Sequence, residues 1–283
     1  MNCARRSRAL GRTMAPRLIE SLTSSKTLYT RSWASRGEVA PVDDELVAFV
    51  HQILLAMFDE VRKACDKHGL QLFLVGGSSL GAIRHEGFIP WDDDLDLGMR
   101  RCEYVRFVEM FNGELGNKFV LNAPNYSKNP IARFPKILPK ESYLREIGGE
   151  YAVALQDVVF LDLFTFENVP DNVLHRTVKG IKCTALEFIA GQVQFAHSDA
   201  QSRDEERRLL GGVAYSIKMF VGRVFSFRNA SIWLNRVDRA VQYKDESSKR
   251  VSIPTGRKHY FGETLFREAF SPDLLFAFAV EIV

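Results

Sequence analysis

Along the chain the apolar residues change period several times, and each change marks an element. From Asp43 to His68, Leu46, Val50, Ile53, Met57, Val61 and Cys65 recur at steps of three and four. This predicts an amphipathic helix, started by Asp43 or Asp44 and ended by Gly69. Leu70–Val75 is apolar and too short for a helix, so it predicts a buried strand. A small-residue turn follows at Gly76, Gly77, Ser78 and Ser79, then two helical turns over Ser79–His85, a bend at Gly87 and Pro90, and a strand over Leu95–Met99. Glu103–Phe111 reads as a helix with Tyr104, Phe107, Val108 and Phe111 on one face. Between 118 and 170 the runs KFVLN, RFPKIL and VVFLDLFTF read as strands separated by Asn, Pro and Gly. After Pro170 the helical period returns over 173–195, 205–227 and 231–243. Leu274–Val283 then closes the sequence as an apolar, strand-like run without a polar tail, as a fragment or an early-ending reading frame would. The fold class expected is α+β, with a tail over 1–40, a mixed-sheet core with flanking helices over 41–172, and a helical lobe with a final strand over 173–283.

Composition adds mainly exclusions. The net charge of +3, with Lys and Arg scattered, gives no footprint for nucleic acid. Cys3, Cys65, Cys102 and Cys183 lie far apart without a CxxC pair, which fits reduced thiols in a cytosolic setting. No apolar run reaches the roughly 18 residues of a spanning helix; Val213–Phe225 comes nearest and is broken by Lys218 and Arg223. Basic and aromatic residues mingle there (Lys218, Phe220, Arg223, Phe225, Phe227, Arg228), and a core face with solvated charges is expected in preference to a membrane-surface patch. His51 and His68 read as solvated surface histidines. Residues 1–37 carry many Arg and Ser, one acid and no continuous apolar stretch; this composition suits a transit peptide or a disordered tail, not a secretory signal.

The chemistry concentrates in residues 76–98, GGSSLGAIRHEGFIPWDDDLDLG. Asp92, Asp93, Asp94 and Asp96 crowd four carboxylates into five positions, where mutual repulsion calls for a compensating cation. Calcium in an EF-hand-like loop is disfavoured, because Leu97 stands where the sharp turn needs glycine. On a strand, residues two apart face the same side, so Asp94 and Asp96 project together and can share one or two Mg²⁺ or Mn²⁺ ions. Asp162, embedded in VVFLDLF, needs a partner if it is buried, and supplies the third carboxylate. The backbone of Gly76, Gly77 and Ser78 can approach phosphate closely at a helix start. A Gly-Gly-Ser turn, a DxD pair and a later buried Asp, in this order, form the pattern of a nucleotidyltransferase-type fold.

The run VGGSSLGAIRHEGFIPWDDDLDLGM resembles the signature of the LicD family, which includes the fukutin-related proteins, and the resemblance extends over about residues 45–170. It implies a nucleotidyltransferase-like fold and transfer of a phospho-alcohol from a CDP-activated donor, such as CDP-choline, onto a hydroxyl of a glycan or glycolipid, with release of CMP. It further implies that Asp94, Asp96 and Asp162 bind metal and carry catalysis, and that Lys136, in RFPKILPKESY, and Arg84 join Gly76, Gly77 and Ser78 on the donor phosphates. Acceptors such as lipopolysaccharide or teichoic acid would place the protein in the cytoplasm at the inner membrane face, with peripheral membrane contact. Relatives continue into a segment ending in Tyr-Gly-Asp that this sequence lacks, which puts part of the acceptor site in question. Two other readings stay open: a sugar-nucleotide glycosyltransferase using the DxD pair, and a truncated relative that binds nucleotide or glycan without turnover.

Overall fold

The structure is a computed structural model and describes residues 44–156, 158–210, 212–253 and 265–266. The expectations for residues 1–37 and for Leu274–Val283 lie outside these residues.

Helix α1 (Asp44–Lys67) buries the stripe expected of it: Leu46, Val50, Ile53, Met57, Val61 and Cys65 all lie inside the core. Gly69 follows with φ +60°, the left-handed residue that ends the helix. Strand β1 (Phe73–Leu74) is shorter than the expected Leu70–Val75. The flanking apolar residues are buried in loop conformation, which a periodicity argument does not distinguish from strand. Helix α2 (Gly76–His85) begins at the first glycine, so the small-residue turn is the first turn of the helix itself. After a bend over residues 86–94, strand β2 (Leu95–Arg100) runs directly into helix α3 (Arg101–Glu114).

Strands β3 (Phe119–Asn122) and β4 (Lys136–Pro139) are the expected runs in shortened form. Between β4 and strand β5 (Leu161–Val169) the chain adds helix α4 (Glu141–Gly148), a 3₁₀ turn (Gly149–Tyr151) and helix α5 (Ala152–Leu155), which correct the all-strand expectation for 118–170. Tyr143, Leu144, Ala152 and Leu155 of this insertion are buried in the main core.

The sheet runs β1-β2-β5-β4-β3. β2 and β5 are parallel at its centre, and β1, β4 and β3 join antiparallel, so the sheet is mixed and the α+β class holds. After β5 come helices α6 (Val173–Ala196), α7 (Ala200–Leu210), α8 (Gly212–Phe225) and α9 (Ala230–Val241). The helix expected over 205–227 is thus two. Asn172 and Asn229 cap α6 and α9 by accepting from the backbone N–H three residues on. Strand β6 (Arg250–Ser252) then returns to pair with the second half of β5, and β7 (Leu265–Phe266) pairs with β6. The helices have their own core, built from Cys183, Val193, Trp233, Leu234 and Val237, separate from the main core under the sheet.

One expectation fails in this lobe. Phe225 packs on Trp233, but Phe220 and Phe227 are 69% and 70% exposed and form no core face.

Candidate active site

Parallel pairing of β2 with β5 sets Asp96 opposite Asp162, and antiparallel pairing of β4 sets Lys136 opposite Asp162. Residues in register across neighbouring strands share one face of a sheet. Asp96, Asp162 and Lys136 therefore form a row across three strands, although they are up to 66 positions apart in sequence. Asp162 is buried, its side chain 4% exposed, and the partner it requires is Lys136, whose Nζ donates to Oδ1 at 2.5 Å. The lysine also lies over the Phe160 ring, 3.5 Å from its centroid. Burial raises the pKa of Asp162 while the lysine opposes the rise.

Asp96 is bound to the β1–α2 junction through its backbone and side chain. Its N–H donates to Ser78 Oγ at 2.8 Å, its carbonyl accepts from Val75 N–H at 3.0 Å, and its carboxylate accepts from the Gly77 backbone N–H. The two glycines make room for this contact. A Cβ on Gly76 would sit 2.7 Å from Asp96 Oδ2, and one on Gly77 would sit 2.7 Å from Asp92 Oδ2. Gly76 also adopts φ +56°, where side chains are strained.

The acids perturb one another strongly. Burial, then repulsion from Asp96, Asp92, Asp93 and Asp162, pushes the Asp94 carboxyl up to about 7. Burial, then Asp162 and Asp92, pushes Asp96 up to about 6. Asp92 is raised too, by burial and Asp93, against a side-chain hydrogen bond with Asp94. The sequence pattern places Asp94 on the strand with Asp96, but β2 begins at Leu95, so Asp92 and Asp94 both lie in the bend, where they stay in electrostatic contact with Asp96; Asp93 is exposed. His51 is not the solvated surface histidine expected: its Nε2–H donates to the Asp92 carbonyl at 2.6 Å and its ring stacks on Phe88. The signal for this lies only in the packing of α1 against the bend. Trp91, 72% exposed beside the acids and edge-on to His85, is also missed by pattern reading.

Arg84 stands apart from this row. It lies eight residues after Gly76, about 12 Å along the helix axis at 1.5 Å per residue. It is exposed, and its Nε contacts His85 at 3.4 Å.

All-oxygen, mutually repelling carboxylates suit a hard divalent cation. Among the described residues no group of three or more His, Cys, Asp or Glu is already poised around a metal position. Mg²⁺ does not need one, since it is commonly held by one or two carboxylates together with substrate phosphates. Further along the sheet, a cleft of about 610 Å³ opens between the β3–β4 loop and α9, lined by Asn125, Tyr126, Lys128, Asn235 and Arg239 among others.

Residues 69–137 match the family model described as LicD/FKTN/FKRP, nucleotidyltransferase domain, in agreement with the resemblance carried by the signature run. The lipopolysaccharide cholinephosphotransferase LicD of Haemophilus influenzae is 31% identical over 120 residues, 42% of this chain and 43% of that protein. The ribitol 5-phosphate transferase FKRP of Homo sapiens is 48% identical over 46 residues, 14% of this chain and 9% of that protein. An uncharacterized protein of Rickettsia prowazekii is 37% identical over 57 residues, 20% of this chain and 21% of that protein. The chain thus spans less than half the length of these relatives. No solved structure matches it.

Proposed function

With residues 69–137 matching the LicD/FKTN/FKRP nucleotidyltransferase domain, we propose that the chain is a phosphotransferase that moves a phospho-alcohol, such as phosphocholine, from a CDP-activated donor to a hydroxyl of a glycan or glycolipid. The observation that carries this reading is the row Asp96–Asp162–Lys136 beside the N-terminus of α2. It combines surplus negative charge for a cation with backbone and lysine groups for phosphate in one place. In this reading Asp94 and Asp96 hold Mg²⁺ or Mn²⁺ and Asp162 completes their set. The cation supplies charge neutralisation on the phosphoryl oxygens.

The chain's own groups do the rest. Gly76, Gly77 and Ser78 offer phosphate the positive end of α2. Lys136 moves from Asp162 to a donor phosphate, which leaves Asp162 free to accept the proton of the acceptor hydroxyl. The raised pKa of Asp162 matches that task. Arg84 would reach only a distal part of the donor. The cleft between the β3–β4 loop and α9 suits a hydroxyl-rich acceptor, because amides, a phenol and two cations line it. A sugar-nucleotide glycosyltransferase remains the second reading, favoured by the DxD pair alone.

Asp94→Asn is the decisive variant. It should leave the melting temperature unchanged or raised, since it relieves crowding, while abolishing CMP release from a panel of CDP-alcohols with purified protein. CMP release at the wild-type rate in that variant would refute the assignment, and a glycosidic in place of a phosphodiester product would favour the glycosyltransferase.

A further inference from the structure

We infer that the face of α8 is a docking surface for an anionic lipid bilayer. Val213, Ile217, Phe220 and Val224 follow one another at steps of four, three and four, and Phe227 continues the series in the turn beyond the helix. At 100° per residue the four helical members fall within about 60° of one another. All five are exposed, between 49% and 77%. The opposite side of the helix is where packing occurs: a Cβ on Gly222 would sit 2.3 Å from the Gln192 carbonyl oxygen of α6, and Tyr215 meets Phe195 edge-on. The apolar stripe is therefore left over after the lobe has formed its own core, and a contiguous exposed patch of this kind marks an interface.

Charge selects the occupant. Between Glu206 and Asp238 the chain carries six basic residues, Arg207, Arg208, Lys218, Arg223, Arg228 and Arg236, and no acid, although the whole chain has a net charge of only +3. Lys218 is paired with Glu206 and Arg207 lies over Tyr215 on the packed side, but Arg223, on the flank of α8, and Arg228, just beyond Phe227, are exposed beside the stripe. A helix with Phe, Ile and Val on one side and arginine at its margins is the form that lies in a bilayer interface. Its 14 residues extend about 21 Å, too short to cross the roughly 30 Å hydrocarbon layer, and no described helix is long and apolar enough to do so. The helix would bind flat, with the arginines at the level of anionic headgroups. This surface does not depend on the reaction proposed above, so a chain that releases no CMP still binds vesicles.

The test is co-sedimentation of the full chain with vesicles of phosphatidylcholine containing 30% phosphatidylglycerol, against phosphatidylcholine alone. The wild type should partition onto the anionic vesicles and be released as salt is raised. Ile217→Ser/Phe220→Ser, which alters only exposed positions and should keep the circular dichroism spectrum and melting temperature, should weaken partitioning at least ~10-fold. Arg223→Gln/Arg228→Gln should weaken it by about 5-fold per charge and flatten the salt dependence. Absence of binding to anionic vesicles, or equal binding by the Ile217→Ser/Phe220→Ser variant, overturns the inference. Light scattering that finds a dimer in the wild type and a monomer in that variant, without vesicle binding, assigns the face to a second copy and overturns it as well.

Discussion

The acidic run is held together at considerable electrostatic cost, and that cost is measurable at single residues. Asp94 near 7 and Asp96 near 6 both lie above the ordinary 3.8. In the metal-free protein the folded state therefore keeps protons that the unfolded chain has released, from about pH 4 upward. Stability from these groups is present below that pH and is lost as pH rises toward 7. Glu187, buried on α6 and pushed to about 7, contributes with the same sign. The melting temperature of the cation-free chain should fall between pH 5 and pH 8, and Asp94→Asn should reduce the fall; a rise over this interval would contradict the charge balance described. Gly76 invites a second test. Alanine there meets both a left-handed φ and the Asp96 carboxylate, so Gly76→Ala should cost about 1–3 kcal/mol and lower transferase turnover, as read by denaturant melts and CMP release.

At the scale of elements, the decisive fact is the register of three strands. Sequence pattern identifies β2, β4 and β5 as strands and marks Asp162 as a buried acid in need of a partner. It cannot supply the pairing, because register depends on which strands become neighbours. Once β5 lies between β2 and β4, Lys136 is that partner. Removing it should be severe, since an unpaired carboxylate would remain with only 4% exposure. Lys136→Met should cost about 3–5 kcal/mol, or on the order of 10 °C in melting temperature. The double variant Lys136→Met/Asp162→Leu should recover most of that loss in thermal melts, which a general packing defect at position 136 would not allow. The insertion that pattern reading missed, α4 to α5, is likewise an element-scale matter. Its helices are one or two turns long and are fixed by burial of Leu144 and Leu155, not by a long periodic signal.

For the whole molecule, one arginine bridges a buried acid of the sheet to an acid of the helical lobe. Arg101, the first residue of α3, binds Glu167 on β5 through Nε at 2.7 Å and Asp238 on α9 at 2.8 Å. Glu167 is only 1% exposed, so its charge depends on that contact. Asp238 also accepts from Asn125 at the edge of the 610 Å³ cleft, which ties the cleft wall to the same ion network. Arg101→Met should therefore destabilise the protein by about 3–5 kcal/mol and, in hydrogen exchange, selectively strip protection from residues 230–241. Uniform loss across the sheet and lobe would argue against a linking role.

Sequence alone determined the elements that rest on local physics. These are the long amphipathic helix ended by Gly69, the crowding of Asp92, Asp93, Asp94 and Asp96, the buried character of Asp162, and the glycines that precede the acids. It also contained the acid-free, arginine-rich interval between Glu206 and Asp238, whose meaning depends on where α8 sits. The tertiary structure alone decided which groups meet. It paired Asp162 with Lys136, brought Asp92 back to Asp94, set His51 under the bend, left Arg84 away from the row and turned Phe220 outward. The physical reason is the same in each case. Periodicity and charge crowding are properties of neighbouring positions in the chain, whereas pairing across strands and exposure of a helix face are set by which elements pack against each other. The acids of residues 76–98 could be recognised one by one, but the row they belong to exists only after β5 has been placed beside β2.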